Sequence, residues 1–243
     1  TYEQTLMSEI ANKEAPTLFQ INGPIGYQNW KDYCADLKDT DLYSWLMDKS
    51  LAITGEDGGV YGIPYVVEGY GIIYNDAIMQ KYFALDGAKA ASMDEINNFA
   101  KLKEVVEDMQ AKKDELGIEG VFASTSLTPG EDWSRSSAAS DVYKRQEGNT
   151  VKAEDVKFLP IYTGVEGEEN QGLCTGTENF FCINKEASAE DQAASIAFVE
   201  WLFSSETGKA AVTNDLGFIA PFNTFSDDEK PTDPLAQEVL RYM

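Results

Sequence analysis

Glu68 stands in the run Tyr65-Val66-Val67-Glu68-Gly69-Tyr70, a carboxylate with rings on either side and no Lys or Arg next to it. That grouping suits a neutral polyhydroxylated ligand, whose hydroxyl edges take charge-assisted hydrogen bonds and whose C–H faces pack on aromatic rings. A solvated loop acid is the commoner fate of a glutamate, and the residues alone favour that reading. Glu131 and Trp133 repeat the pairing of a carboxylate with a stacking platform further along the chain. Asn22-Gly23 offers an amide that both donates and accepts, next to a residue that lets a backbone approach closely. The same pair also suits an ordinary strand-to-helix turn.

Much other chemistry is excluded. The 243 residues contain no histidine, which removes the usual general base and the commonest metal ligand. Cys34, Cys174 and Cys182 show no C-x-x-C spacing, so neither a zinc site nor a dithiol redox motif is expected, and buried free thiols are the plain reading. A Cys174–Cys182 disulfide stays open, because connectivity cannot be read from sequence. No metal, cofactor or catalytic residue is expected. A formal net charge of -23 repels nucleic acid and anionic lipid, so polyanionic partners are excluded.

These groups need elements to hold them. Tyr2, Leu6 and Ile10 recur at helical spacing, and Pro16 then precedes the apolar run Leu18–Ile21, a buried strand. Tyr27, Trp30, Tyr33, Cys34 and Leu37 form a second amphipathic stretch, and the Gly58-Gly59 turn leads into an extended strand from Val60 to Val67. Gly71–Tyr74, Val121–Ala123, Val156–Tyr162 and Phe180–Ile183 read as further strands. Ser92 and Glu95 form a capping box before a long helix ending near Gly117, and Ser188 caps another that bears Ile196, Val199, Trp201, Leu202 and Phe203. Trp30, Trp45 and Trp201 fall on apolar stripes and are expected in the core. Strands alternating with helices predict α/β layering with a largely parallel sheet. The chain opens at Thr1 within a helical pattern, without an initiator Met, a signal segment or an apolar run long enough to span a bilayer. The start of the gene product is therefore expected to lie outside it.

Ser136–Gln146, SSAASDVYKRQ, has no helical or strand period and interrupts an acidic chain with Lys144 and Arg145. All of it is the in-frame translation of a transposase-type sequencing-library adaptor. The sequence therefore reads as two genuine pieces, 1–135 and 147–243, joined at an artefactual seam. Native material between them is expected to be missing.

Two longer stretches of the first piece, EIANKEAPTLFQINGPIGYQNW and GGVYGIPYVVEGYGIIYNDAIMQKYF, resemble the extracellular solute-binding proteins of carbohydrate ABC importers, maltodextrin binders among them. So do NFFCINKEAS and AFVEWLFSSETGKAAVTNDLGFIAPF in the second piece. Thr17 departs from the family pattern, which carries Asp there. The resemblance implies a two-lobed, type II periplasmic-binding-protein-like α/β fold with discontinuous lobes, the second incomplete. Lobe 1 would hold 1–78 and 172–217; lobe 2 would hold 79–135, 147–171 and 218–243. It implies a monomer that binds a sugar or oligosaccharide in an interlobe cleft and delivers it to permease subunits. The chain would act outside the cell, as a surface lipoprotein or in the periplasm. Carried onto this chain, the ligand-binding residues would be Glu68, Asn22, Gly23, Tyr65, Tyr70, Glu131 and Trp133, with Gly172 and Thr175 on the returning strand. The competing enzyme reading, a glycoside hydrolase using Glu68 and Glu131 as its carboxylate pair, has no residue spacing to fix the separation it needs. A surface adhesion module would call for a flat apolar patch that no sequence feature demands.

Overall fold

The computed structural model describes residues 1–12, 15–122 and 151–243. Its elements begin with α1 (Tyr2–Glu9), β1 (Leu18–Asn22), α2 (Gly23–Trp30), α3 (Asp41–Trp45), β2 (Ile53–Thr54) and β3 (Val60–Pro64). They continue with β4 (Glu68–Tyr70), β5 (Ile72–Asn75), α4 (Asp76–Phe83), α5 (Phe99–Ala111) and α6 (Lys113–Leu116). The last group is β6 (Val156–Leu159), β7 (Cys174–Gly176), β8 (Asn179–Ile183), α7 (Ala189–Ser204), α8 (Glu206–Ala210) and α9 (Pro234–Tyr242). The chain divides into two compact units, each built from separated stretches: Thr1–Glu68 with Gly176–Thr232, and Gly69–Thr175 with Asp233–Met243. The first two of the three changes of unit fall inside the paired strands β4 and β7, and the third falls just before α9.

The first unit is a four-stranded sheet in the order β1-β8-β3-β2 with a hydrophobic cluster on each face. Strand alternation decides which residue goes where. Phe19, Ile21, Phe180 and Cys182 pack with Leu6 and Ile10 and with Trp30 of α2. Ile63 and Ile183 point to the other face, where Val199 and Phe203 of α7, Leu42 and Phe222 close over them. Asn184 and the turn after α2 are joined by an isolated bridge from Cys34.

The parallel sheet expected from the alternation of elements is not what forms. β8 runs antiparallel to both β1 and β3, with Leu18 opposite Ile183 and Ile63 opposite Phe181. β1 and β3 therefore point the same way, as two strand–helix units should, but a returning strand from far along the chain lies between them. β2 and β3 are antiparallel as well.

The second unit has at its centre the antiparallel pair β5–β6, Ile72 opposite Leu159 and Asn75 opposite Val156. Met79, Tyr82, Ile96, Val105, Met109 and Leu116 form its core together with Leu159 and Tyr162. Helix α9 packs along β6. The outward N–H of Phe158 donates to Glu238 Oε2 at 3.3 Å, and the outward carbonyl accepts from the Tyr242 hydroxyl at 3.3 Å. The helix thus satisfies both backbone groups that the sheet leaves open at this residue. Gly69 allows the approach, since a Cβ there would lie 2.4 Å from Val239 Cγ2.

Several boundaries differ from expectation, each for a local reason. Residues 69–78 belong with the second unit because β5 pairs with β6, and 218–232 belong with the first because Ala220 and Phe222 fill its core. Ser92 opens only a single 3₁₀ turn, Met93–Glu95, and α5 starts later, where Asn98 Oδ1 accepts from Lys101 N at 2.9 Å. Val121 and Phe122 are not in a strand, and residue 123 lies outside the described residues, as does the whole of 136–146. Trp201 is not in the core: it is 46% exposed, stacked at 6.0 Å on the equally exposed Phe198. Cys174 and Cys182 are both free, the first exposed and the second buried beside Cys34.

Candidate functional site

In the first unit the carboxyl ends of β1 and β3 lie together at the end of the sheet where β8 begins, since Asn22 pairs with Asn179 and Pro64 with Phe180. Ligands of open α/β sheets bind outside the carboxyl ends of strands, where backbone and side-chain groups converge. The Gln20 amide donates to Asn179 Oδ1 at 2.5 Å. Asn22 is exposed and caps α2 by position only, its side chain making no cap hydrogen bond, and Gly23 follows in the left-handed region at φ 59°. A side-chain amide that makes no cap hydrogen bond is a group that can both donate and accept.

The aromatic part comes from the strand just beyond Pro64. Tyr65 stacks on Phe181 with ring centroids 4.3 Å apart and meets Phe218 at 6.0 Å. Its hydroxyl is pushed up to about 12, first by burial, then by the Glu68 carboxylate and by Tyr2. Glu68 is therefore close enough for its charge to be felt at Tyr65. Tyr2 reaches the same end of the sheet, its hydroxyl accepting from Gln20 N at 2.8 Å and donating to Gln20 O at 3.2 Å.

Of the residues expected at a ligand site, Asn22, Gly23, Tyr65 and Glu68 lie in the first unit, the last two half-buried. Tyr70 of β4 is half-buried, and Gly172 and Thr175 are exposed; all three belong to the second unit. Glu131 and Trp133 lie outside the described residues. Sequence reasoning missed Gln20, Asn179 and Phe181. The available signal was Gln20 itself, an amide between two buried apolar residues of a strand, where a polar side chain needs a partner.

A sequence profile of bacterial extracellular solute-binding proteins matches residues 1–140, more than half of the chain. The chain belongs to that family. Its members are binding proteins, so the site is read as a ligand site without turnover, and the hydrolase reading is dropped. Solved structures share the fold. A family 1 extracellular solute-binding protein from Bifidobacterium longum subsp. infantis aligns with a TM-score of 0.56 at 16% identity, over 93% of this chain and 72% of its own. A sugar transporter from Bacillus licheniformis, solved in complex with stachyose, aligns at 0.57 and 16% identity over 99% of this chain and 76% of its own. The maltose/maltodextrin-binding domain from Bdellovibrio bacteriovorus, bound to maltotriose, aligns at 0.56 and 14% identity over 100% and 76%. At these identities the likeness concerns the fold. The chain spans about three quarters of each of these relatives. A comparison with curated proteins finds no match. Among the described residues no helix is long and apolar enough to cross a membrane.

Proposed function

We propose that this solute-binding protein takes a neutral sugar or oligosaccharide and delivers it to the permease of an ATP-driven importer. The observation that carries the reading is the end of the first unit's sheet. There Glu68, the Tyr65–Phe181 stack and the amides of Gln20, Asn22 and Asn179 gather acceptors, donors and ring faces in one place. A hydroxyl-rich ligand needs that combination, and a hydrophobic or polyanionic one does not. Two of the solved relatives hold oligosaccharides, which agrees with it. In this reading Glu68 accepts from ligand hydroxyls, Tyr65 and Tyr70 present rings, Asn22 and Gly23 supply amide and backbone contacts, and Gly172 and Thr175 contribute from the returning strand. Glu131 and Trp133 would add a second carboxylate and platform. The intact gene product works outside the cytoplasmic membrane, anchored as a lipoprotein or free in the periplasm.

The test is calorimetry with a maltodextrin and a raffinose-type oligosaccharide on the chain and on an uninterrupted relative. Glu68→Ala is expected to weaken binding by about 1.5–3 kcal/mol, the scale of a hydrogen bond to a charged group, without changing the unfolding midpoint. Unchanged affinity would remove Glu68 from the site. Release of reducing ends by the wild-type chain would restore the hydrolase.

A further inference from the structure

Cys34 and Cys182 have no part in the reading above, and both lie inside the first unit. They are buried, Cys34 at 2% and Cys182 at 0% exposure, in the cluster with Phe19, Trp30 and Phe180. Cys34 stands opposite Asn184 in an isolated antiparallel bridge, held on either side by Ala35 N donating to Ile183 O and Lys185 N donating to Tyr33 O, each at 2.8 Å. Hydrogen bonds in those flanking positions make Cys34 and Asn184 a closely spaced pair. Cys182 comes two residues before Asn184 and so projects to the same face. Its S–H donates to the Cys34 sulfur, and this bond, followed by burial, raises the Cys182 thiol well above its ordinary value. Cys34 donates in turn to Trp30 O at 3.3 Å. Cys174, the remaining thiol, is exposed and belongs to the second unit.

All three cysteines are free, so the structure is that of the reduced chain. A member of an extracellular family meets an oxidising environment, in which neighbouring thiols persist as disulfides. Once folded, the pair is badly placed to react: neither sulfur meets solvent, and thiol–disulfide exchange needs an accessible thiolate. Before β8 seats between β1 and β3, the same sulfurs are open to solvent. We propose that Cys34 and Cys182 are joined by a disulfide as the exported chain folds, tying β8 to the turn after α2. The oxidant is itself a disulfide, RSSR, carried by a thiol oxidoreductase or a small thiol. One cysteine thiolate attacks an RSSR sulfur and expels RS⁻. The other then attacks the protein sulfur of the mixed disulfide and expels the second RS⁻. The protons given up by the two cysteines pass to the two leaving thiolates, so the pair loses two electrons and RSSR becomes two RSH. The new bond closes a loop of about 150 residues, and its constraint falls mainly on the unfolded chain.

The test makes the full chain twice, once in a reducing cytosol and once exported to an oxidising periplasm behind a cleavable signal peptide. Each product is denatured with a maleimide and no reductant, and the labels are counted and mapped by peptide mass spectrometry. The cytosolic chain should take three labels and the exported chain one, at Cys174, with the Cys34 and Cys182 peptides recovered as a linked pair. The urea midpoint of the exported chain should lie above that of the cytosolic chain and fall to it when the denatured protein is reduced and refolded. Cys174→Ser changes only an exposed side chain, so the link should form in that variant as well. The folded cytosolic chain, given oxidised glutathione, should form the link slower than the refolding chain by on the order of tenfold or more. Three labels on the exported chain, a link that includes Cys174, loss of the link in Cys174→Ser, or an exported chain with a midpoint no higher than the cytosolic one would each overturn the inference. Equal rates of oxidation in the folded and refolding chains would overturn its timing.

Discussion

Glu238 shows how far a single side chain can set the stability of the second unit. It is 5% exposed, accepts the outward N–H of Phe158 through Oε2 at 3.3 Å, and pairs with Lys157 at 3.3 Å and Arg241 at 2.9 Å. Glu238→Ala strands the Phe158 N–H under α9, a cost of about 1–3 kcal/mol for an unsatisfied buried donor. It also removes two ion pairs whose cations are 36% and 55% exposed, each worth about 0.2–1 kcal/mol after solvent screening. The sum is about 1–5 kcal/mol. Glu238→Gln keeps an acceptor for Phe158 and loses only the charges, so it should cost about 1 kcal/mol. Urea unfolding followed by far-UV circular dichroism gives the two values, and amide hydrogen exchange at Phe158 reports the local effect. If the glutamine variant proves as damaging as the alanine variant, or if the Phe158 amide exchanges equally slowly in both, the backbone-capping role of α9 is refuted.

Burial pushes the Glu238 carboxyl up, but Arg241, the Phe158 N–H and Lys157 outweigh it and hold the group below its ordinary value. Glu229 is lowered to about 2, first by Lys209 and then by Ser226. A carboxyl depressed by folding stabilises fully above its unfolded value, so stability should fall as pH drops through about 4 toward 2, and Glu229→Gln should flatten that decline in a thermal-melt series. Gly69→Ala drives a methyl into Val239 and should cost about 1–3 kcal/mol in urea, part of it regained in Gly69→Ala with Val239→Ala. A maleimide should label one thiol, Cys174, in the native chain and three after denaturation, read by mass spectrometry; two or more in the native state would contradict the burial of Cys34 and Cys182. Amplification from source DNA should return no continuous frame encoding 136–146; recovering one would make that segment native.

The sequence displayed those elements whose pattern is local. Leu18–Ile21 and Phe180–Ile183 are apolar runs bounded by breakers, and Ser188 sits one residue before a helix whose N–H at Asp191 it accepts. What it hid depends on residues far apart. The direction of β8 is set by two partners, one of them about 160 residues away, and no window of sequence contains both. The contact between Gln20 and Asn179 is invisible for the same reason. The start of α5 was missed because two cap signals, Ser92 and Asn98, stand six residues apart, and local pattern cannot say that the second one opens the long helix. Trp201 fits an apolar stripe because α7 carries apolar residues around much of its circumference, so periodicity does not pick the buried side.

The placement of β8 also bears on the order in which the chain can fold. β1 and β3 are complete by residue 64, yet the strand that joins them begins only at 179. At ordinary synthesis rates of about 5–20 residues per second, the gap between them stays open for on the order of ten seconds while most of the other unit emerges. Closing it then means pairing segments with very large sequence separation, a slow step by its loop entropy. Until that step the first unit has an empty strand position with exposed backbone edges on both sides, a state open to mispairing or to chaperone binding.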